Sequence, residues 1–249
     1  MSVTPGRETY GELTSEQVAA LDAAALACGV TTLQLMEIAG WQVARCAWTW
    51  MSARPAGVSV IAGYGNNGGD GLVAARQLAT WGCTVRALVV AEESRVGGVV
   101  RDHLESARHC GVDVAVSVDP DAVHAVVDGS ALVVDAILGT GLRSAPRDPQ
   151  AGAIRAINGS GRPVLSVDVP SGLDATSGSA FDPCVRAALT CTLTAVKRGL
   201  WAGEAPVHAG ELWVADIGMP SAAWERAGLS RPPGITGGEL VHISSASHS

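Results

Sequence analysis

The chain has 249 residues, 47% of them hydrophobic and 16% charged, with a formal net charge of −7. That length suits one large α/β domain or two small ones, with enough apolar residues for a sizeable core. The acidic balance and the lack of any Lys/Arg run argue against nucleic-acid binding, and no apolar stretch reaches the length of a membrane span.

The first residues, Met1 to Glu12, are polar and carry no signal-type apolar segment, so a cytoplasmic location is expected. Leu13-Thr14-Ser15-Glu16-Gln17-Val18 opens a helix with Thr14 or Ser15 as cap, an apolar face of Val18, Leu21, Ala25 and Leu26, and Gly29 at its end. Thr31 or Thr32 caps a second helix, whose Trp41 and Trp48 lie seven residues apart on one stripe. Those tryptophans suit packing against a sheet or a partner subunit better than a cofactor box. Arg54-Pro55-Ala56-Gly57 breaks the pattern.

Val58 to Ala62 reads as a fully buried strand. Gly63-Tyr64-Gly65-Asn66-Asn67-Gly68-Gly69-Asp70-Gly71 follows, and helical spacing resumes at Leu72. Strand, glycine-rich turn and helix direct backbone N–H groups at an anionic ligand. Gly63, Gly65 and Gly68 alone satisfy a loose G-x-G-x-x-G, for which a tight turn capped by Asp70 is the simpler account. Two amides and a carboxylate set among those glycines exceed what a turn needs, which favours a binding loop.

The βα rhythm continues. Strands are expected over Thr84 to Ala91, Val112 to Val118, Ala131 to Asp135 and Pro163 to Asp168, and two more over Ala188 to Val196 and Glu211 to Ile217. Helices are expected over Val96 to His109, Asp121 to Val127 and Pro149 to Asn158. Such alternation implies an α/β fold with a mostly parallel sheet covered on both faces. Residues 1–227 form one domain in this reading, and residues 228–249, rich in Gly, Pro and Ser, a loosely ordered tail. The six cysteines form no C-x-x-C pair and the six histidines no ligand spacing, so reduced structural thiols and no zinc are expected.

Ligands of open α/β sheets bind beyond the carboxyl ends of the strands. Three such ends are polar here: Gly63 to Gly71, Asp135 to Ala145, and Asp168 to Asp174. Asp135 and Asp168, with Asn67 and Ser171, offer oxygen donors that suit a hard cation such as K⁺, Mg²⁺ or Ca²⁺. Lys197 follows another strand and is either a surface lysine or a further member of the crevice.

The Asn66-to-Gly71 motif, Asp135 to Gly141, Asp168 to Gly172 and Lys197-Arg198-Gly199 resemble the YjeF N-terminal domain, the NAD(P)HX epimerase family. The Leu13-Thr14, Leu21-Asp22 and Leu35-Met36-Glu37-Ile38-Ala39-Gly40 segments match in place. The resemblance implies a Rossmann-like three-layer αβα sandwich, a homodimer, and an isomerase that interconverts the R and S epimers of hydrated NADH or NADPH. It also implies substrate contacts from Asn66, Asn67, Gly68, Gly69 and Asp70, from Gly139, Thr140, Gly141, Leu142, Arg143, Ser144 and Ala145, and from Asp168. It assigns a potassium ion to Asn67, Asp135 and Ser171. Asp168 with Lys197 makes a reasonable acid/base pair for opening and reclosing a hemiaminal carbon.

Two departures stand out. The family usually has Asn at the position of Ile38, which raises the expectation of an altered pocket and a same-fold relative with another substrate. The dehydratase domain fused in many bacterial members has no counterpart, so the downstream dehydratase is expected as a separate protein. A non-catalytic nucleotide-binding or scaffold module is the remaining alternative, disfavoured because a scaffold needs none of Asn67, Asp135, Asp168 and Ser171.

Overall fold

The computed structural model describes residues 6–243. A short turn of helix, α1 (Arg7–Tyr10), leads into α2 (Ser15–Ala27) and α3 (Thr32–Trp50). Both longer helices start with a full capping box, Thr14 with Gln17 and Thr31 with Gln34, and Gly29 takes φ +86° where α2 stops. Then come β1 (Gly57–Ala62), α4 (Asn66–Thr80), β2 (Thr84–Val90), α5 (Gly98–His109), β3 (Asp113–Ser117), α6 (Pro120–Val127) and β4 (Leu132–Ala136). After α7 (Gln150–Gly159) follow β5 (Val164–Val167), β6 (Leu189–Leu193), α8 (Ala205–His208), β7 (Glu211–Ala215), α9 (Ser221–Arg226) and β8 (Leu240–Ile243).

The strands form one sheet in the order β3-β2-β1-β4-β5-β6-β7-β8, parallel except for β8. The order reverses between β1 and β4, which opens a crevice at their carboxyl ends. Alternate strand residues serve two cores. Val60, Ala62, Val134 and Ala136 join the layer with α3, α4 and α5, while Ile61, Val133 and Leu88 join Val123, Val127, Ile154 and Ile157 of α6 and α7. This is the expected three-layer αβα sandwich.

Residues 228–243 differ from the loose tail expected of their composition. Ile235 is buried, β8 pairs antiparallel with β7, and Gln42 of α3 donates to the Asp216 and Gly238 carbonyls at 2.7 and 2.9 Å. Arg231 also donates to Asp216 at 3.0 Å. Glycine and proline in this segment serve turns around a fixed path. Residues 244–249 of the expected tail lie outside the described residues.

Trp48 packs edge-on against Trp81 at 5.8 Å, so it belongs to the chain's own core, whereas Trp41 remains 40% exposed. Among the described residues all six cysteines are free, and no helix is long and apolar enough to cross a membrane.

Candidate functional site

The site begins with a close approach. A Cβ on Gly40 of α3 would stand 2.4 Å from Val73 Cβ and 2.6 Å from the Asp70 carbonyl, so only glycine lets α3 lie this near α4. The same holds where α4 leaves the sheet: a Cβ on Gly68 would stand 1.9 Å from the Gly63 carbonyl. The Asn-Asn-Gly-Gly-Asp stretch is therefore helical already. α4 starts at Asn66 with Gly65 as its cap, and Asp70 sits in its second turn instead of capping it. No side chain caps the first turn, so its N–H groups face the cavity beyond, where an anion is favoured.

That cavity, about 810 Å³, lies over the crevice between β1 and β4. Of the residues expected to touch substrate, its wall includes Asn66, Asn67, Asp70, Gly139, Thr140, Gly141, Leu142, Arg143, Ser144 and Asp168. Gly68 and Gly69 stand beneath the wall, pressed against Gly63 and Met36, and act by allowing the approach. Ala145 is exposed and outside it. Ile38 is also outside: it is 39% exposed beside Gly218, which removes the ground for expecting a different substrate. Leu35, Met36 and Ala39 of the same helix face the cavity instead.

Asp168 follows β5 with φ +67°, a left-handed conformation that costs a non-glycine residue of order 1–3 kcal/mol and persists only where the surroundings impose it. Its N–H donates to the Cys191 carbonyl at 2.8 Å, and its Oδ1 accepts from the Leu193 N–H at 3.0 Å and from the Lys197 ammonium. Lys197, 1% exposed, also donates to the Leu193 carbonyl at 2.5 Å. It is thus a member of the crevice and no surface lysine. Oδ2 of Asp168 has no partner among the described residues.

Asp22 and Asp70, from α2 and α4, complete the acidic wall. Asp70 is buried, and burial pushes its carboxyl well above the usual range, with Asp168 and Asp22 adding to the effect and Lys197 opposing it. Asp22 reaches solvent across the cavity, yet crowding by the walls pushes it up to about 6, offset by Lys197 and reinforced by Asp168. The sequence reading gave Asp22 no role, although Leu21-Asp22 was one of the segments that carried the family resemblance.

Asp135 is fully buried in β4 and accepts four hydrogen bonds, from Ser171 Oγ and N, Ser166 Oγ and the Ile137 N–H, at 2.6 to 3.3 Å. Burial raises its carboxyl and those bonds partly offset it. The Leu138 carbonyl accepts from Asn67 Nδ2 at 3.2 Å and stands equally far from Ser171 Oγ, whose proton goes to Asp135. Two of the three expected ion ligands thus meet there, and the third is joined through Ser171.

Comparison with known proteins bears on this arrangement. Residues 32–199 match the family model described as YjeF-related protein N-terminus. The chain belongs to the YjeF-related N-terminal family. An NAD(P)H-hydrate epimerase of Dehalogenimonas lykanthroporepellens is 38% identical over 224 residues, covering 88% of this YjeF-related chain and 86% of the relative. A bifunctional NAD(P)H-hydrate repair enzyme of Pyrobaculum aerophilum is 41% identical over 214 residues. The chain spans only 42% of that protein's length. The crystal structure of the yeast protein ynu0 superposes with a TM-score of 0.80 at 26% identity, covering 93% of this chain and 99% of the yeast one.

Proposed function

We propose that this YjeF-related chain is an NAD(P)H-hydrate epimerase. The observation that carries the reading is Asp168, fixed through Oδ1 by Lys197 and turned with a free Oδ2 toward a cavity whose floor is the uncapped start of α4. The start of α4 and the Gly139-Thr140-Gly141 loop suit a pyrophosphate. With it anchored there, the hydrated ring reaches Asp168.

Epimerisation at a hemiaminal carbon needs a proton delivered and a proton taken back. The ring hydroxyl leaves as water once protonated, the ring nitrogen's lone pair holds the resulting cation, and water returning to the other face gives up its proton. The wall supplies both functions. Asp168 accepts through Oδ2, while Asp70, whose carboxyl burial raises well above the usual range, is a donor of the right kind in the same cavity. Lys197 fixes Asp168 and adds a positive charge that opposes the rise of the Asp22 and Asp70 carboxyls.

Asn67, Asp135 and Ser171 would hold a potassium ion as hard oxygen donors, Asn67 and Ser171 meeting at the Leu138 carbonyl and Ser171 bonding Asp135. The ion would supply a fixed positive charge beside the pyrophosphate. Replacing potassium by tetramethylammonium is expected to weaken substrate binding, and Asn67→Ala to abolish the difference between the two salts.

We further propose a homodimer through the N-terminal helices, where Leu26, Leu33, Ile38 and Trp41 lie open at 39–52% exposure. The product passes to a dehydratase of the S form, in the cytoplasm. The test supplies mixed epimers of hydrated NADH with an S-specific dehydratase and follows the R form. Its complete consumption is expected; an R form that persists at its spontaneous rate removes the proposal.

A further inference from the structure

The cavity that takes the reacting ring continues past Tyr64 and Gln150, which also border a second cavity of about 520 Å³. This second space lies at the carboxyl ends of β2 and β3, lined by Ala91, Glu92 and Arg95 after β2, by Val118 after β3, and by Asp148, whose carboxylate lies 3.7 Å from Arg155. Arg95 closes a single 3-10 turn, Glu93–Arg95. Its guanidinium lies 4.5 Å over the Tyr64 ring, and Nη2 donates to the Tyr64 hydroxyl at 2.9 Å. No carboxylate among the described residues pairs with it, and Glu93, two residues earlier, pairs with Arg101 instead. Arg95 is thus a cation ordered by an aromatic ring instead of an anion, with most of its donors free.

Strand order says what should lie there. Asp168 and Lys197 sit beyond β5 and β6, and the start of α4 lies over β1. From the β5–β6 edge to the β2–β3 edge is four strand spacings, about 19 Å. A dinucleotide with its ring at Asp168 and its pyrophosphate at α4 must lay its second nucleoside toward β2 and β3. In open sheets of this kind, residues after the second strand read the 2′ position of that ribose: an acid accepts from the hydroxyl, an arginine takes a phosphate. Glu92 and Arg95 are both present. Arg95 is already ordered by Tyr64, whereas no described residue holds Glu92, which must lose rotamer freedom to bind. Preorganisation therefore favours the phosphate.

We infer that the second cavity is the adenosine subsite and that Arg95, held against Tyr64, binds the 2′-phosphate, which makes hydrated NADPH the preferred substrate over hydrated NADH. This rests on the epimerase reading above and names the member of its substrate pair.

The test combines kinetics with binding of a fragment that needs no turnover. For the unaltered protein, kcat/KM for hydrated NADPH is expected to exceed that for hydrated NADH by about tenfold, the worth of one charge-assisted contact. Arg95→Gln should remove that difference while leaving hydrated NADH nearly unaffected, and Arg95→Lys should retain part of it. By calorimetry, adenosine 2′,5′-bisphosphate should bind more tightly than adenosine 5′-monophosphate, and Arg95→Gln should equalise them. A preference for hydrated NADH, or equal losses on both substrates in Arg95→Gln, overturns the inference. If the hydrates are epimerised but the bisphosphate gains nothing from Arg95, the subsite assignment falls and the epimerase reading stands. If neither hydrate is turned over yet the bisphosphate binds through Arg95, the subsite stands and the epimerase reading falls.

Discussion

Lys197 is one of the largest fully buried side chains, and its ammonium rests on Asp168 and one carbonyl. A strand-end Asp at a solvated pocket would be a minor prop of the fold; here it neutralises a buried charge. Asp168→Asn is therefore expected to lower epimerisation by roughly 10²–10⁴-fold and also to cost about 3 kcal/mol of stability, since a buried ammonium loses its partner. The double exchange Asp168→Asn with Lys197→Met should restore most of the melting temperature and none of the activity. An Asp168→Asn protein that epimerises normally takes Asp168 out of the mechanism. Asp70 predicts the opposite balance. Its carboxyl is raised above the unfolded value, so the unfolded state binds fewer protons, and stability falls as pH rises from about 4 upward. Asp70→Asn should melt higher than the unaltered protein at pH 7–8, the gain vanishing below about pH 4, while its activity drops. Thermal melts across that range check it, and a gain independent of pH refutes it.

At the scale of elements, the glycines that bring α4 against the sheet and α3 against α4 matter more than any one ligand-facing side chain. Gly68→Ala drives a Cβ into the Gly63 carbonyl and is expected to cost about 3 kcal/mol, the upper end of overpacking penalties, with loss of the site. Ile38→Asn, on the exposed side of α3, should leave kcat/KM within about twofold, well under 1 kcal/mol. Melting and kinetics on the two variants should separate cleanly. Legibility in sequence follows the same division. The capped helices and the apolar strands β1, β2, β4 and β5 are local signals, and the three glycine-rich strand ends did converge on one cavity. The helical state of Asn66 to Asp70 was not legible, because glycine's poor helix propensity is overridden there by a tertiary contact. Nor was the shared field of Asp22, Asp70 and Asp168, which come from three elements far apart in the chain. The short α8, α9 and β8 lack a period long enough to read, and β8 exists only through its pairing with β7.

For the whole molecule, the open apolar residues of α2 and α3 lead to an expectation about assembly. Light scattering should give a dimer at micromolar concentration, and Trp41→Glu should shift it to monomer without altering the melting of β-structure; a monomeric unaltered protein rules the dimer out. The antiparallel β8 has a consequence of a different kind. Strands β1 to β7 can be laid down in the order they are made, but Glu211 to Ala215 keep an unpaired edge until Leu240 to Ile243 arrive. A chain in which β8 has yet to pair therefore carries a nearly finished sheet whose last ladder of N–H and C=O groups stays open to any strand it meets. Leu240 to Ile243 thus act as the closing seam of the sheet: until they pair with β7, the molecule has its cavity assembled and its edge sticky.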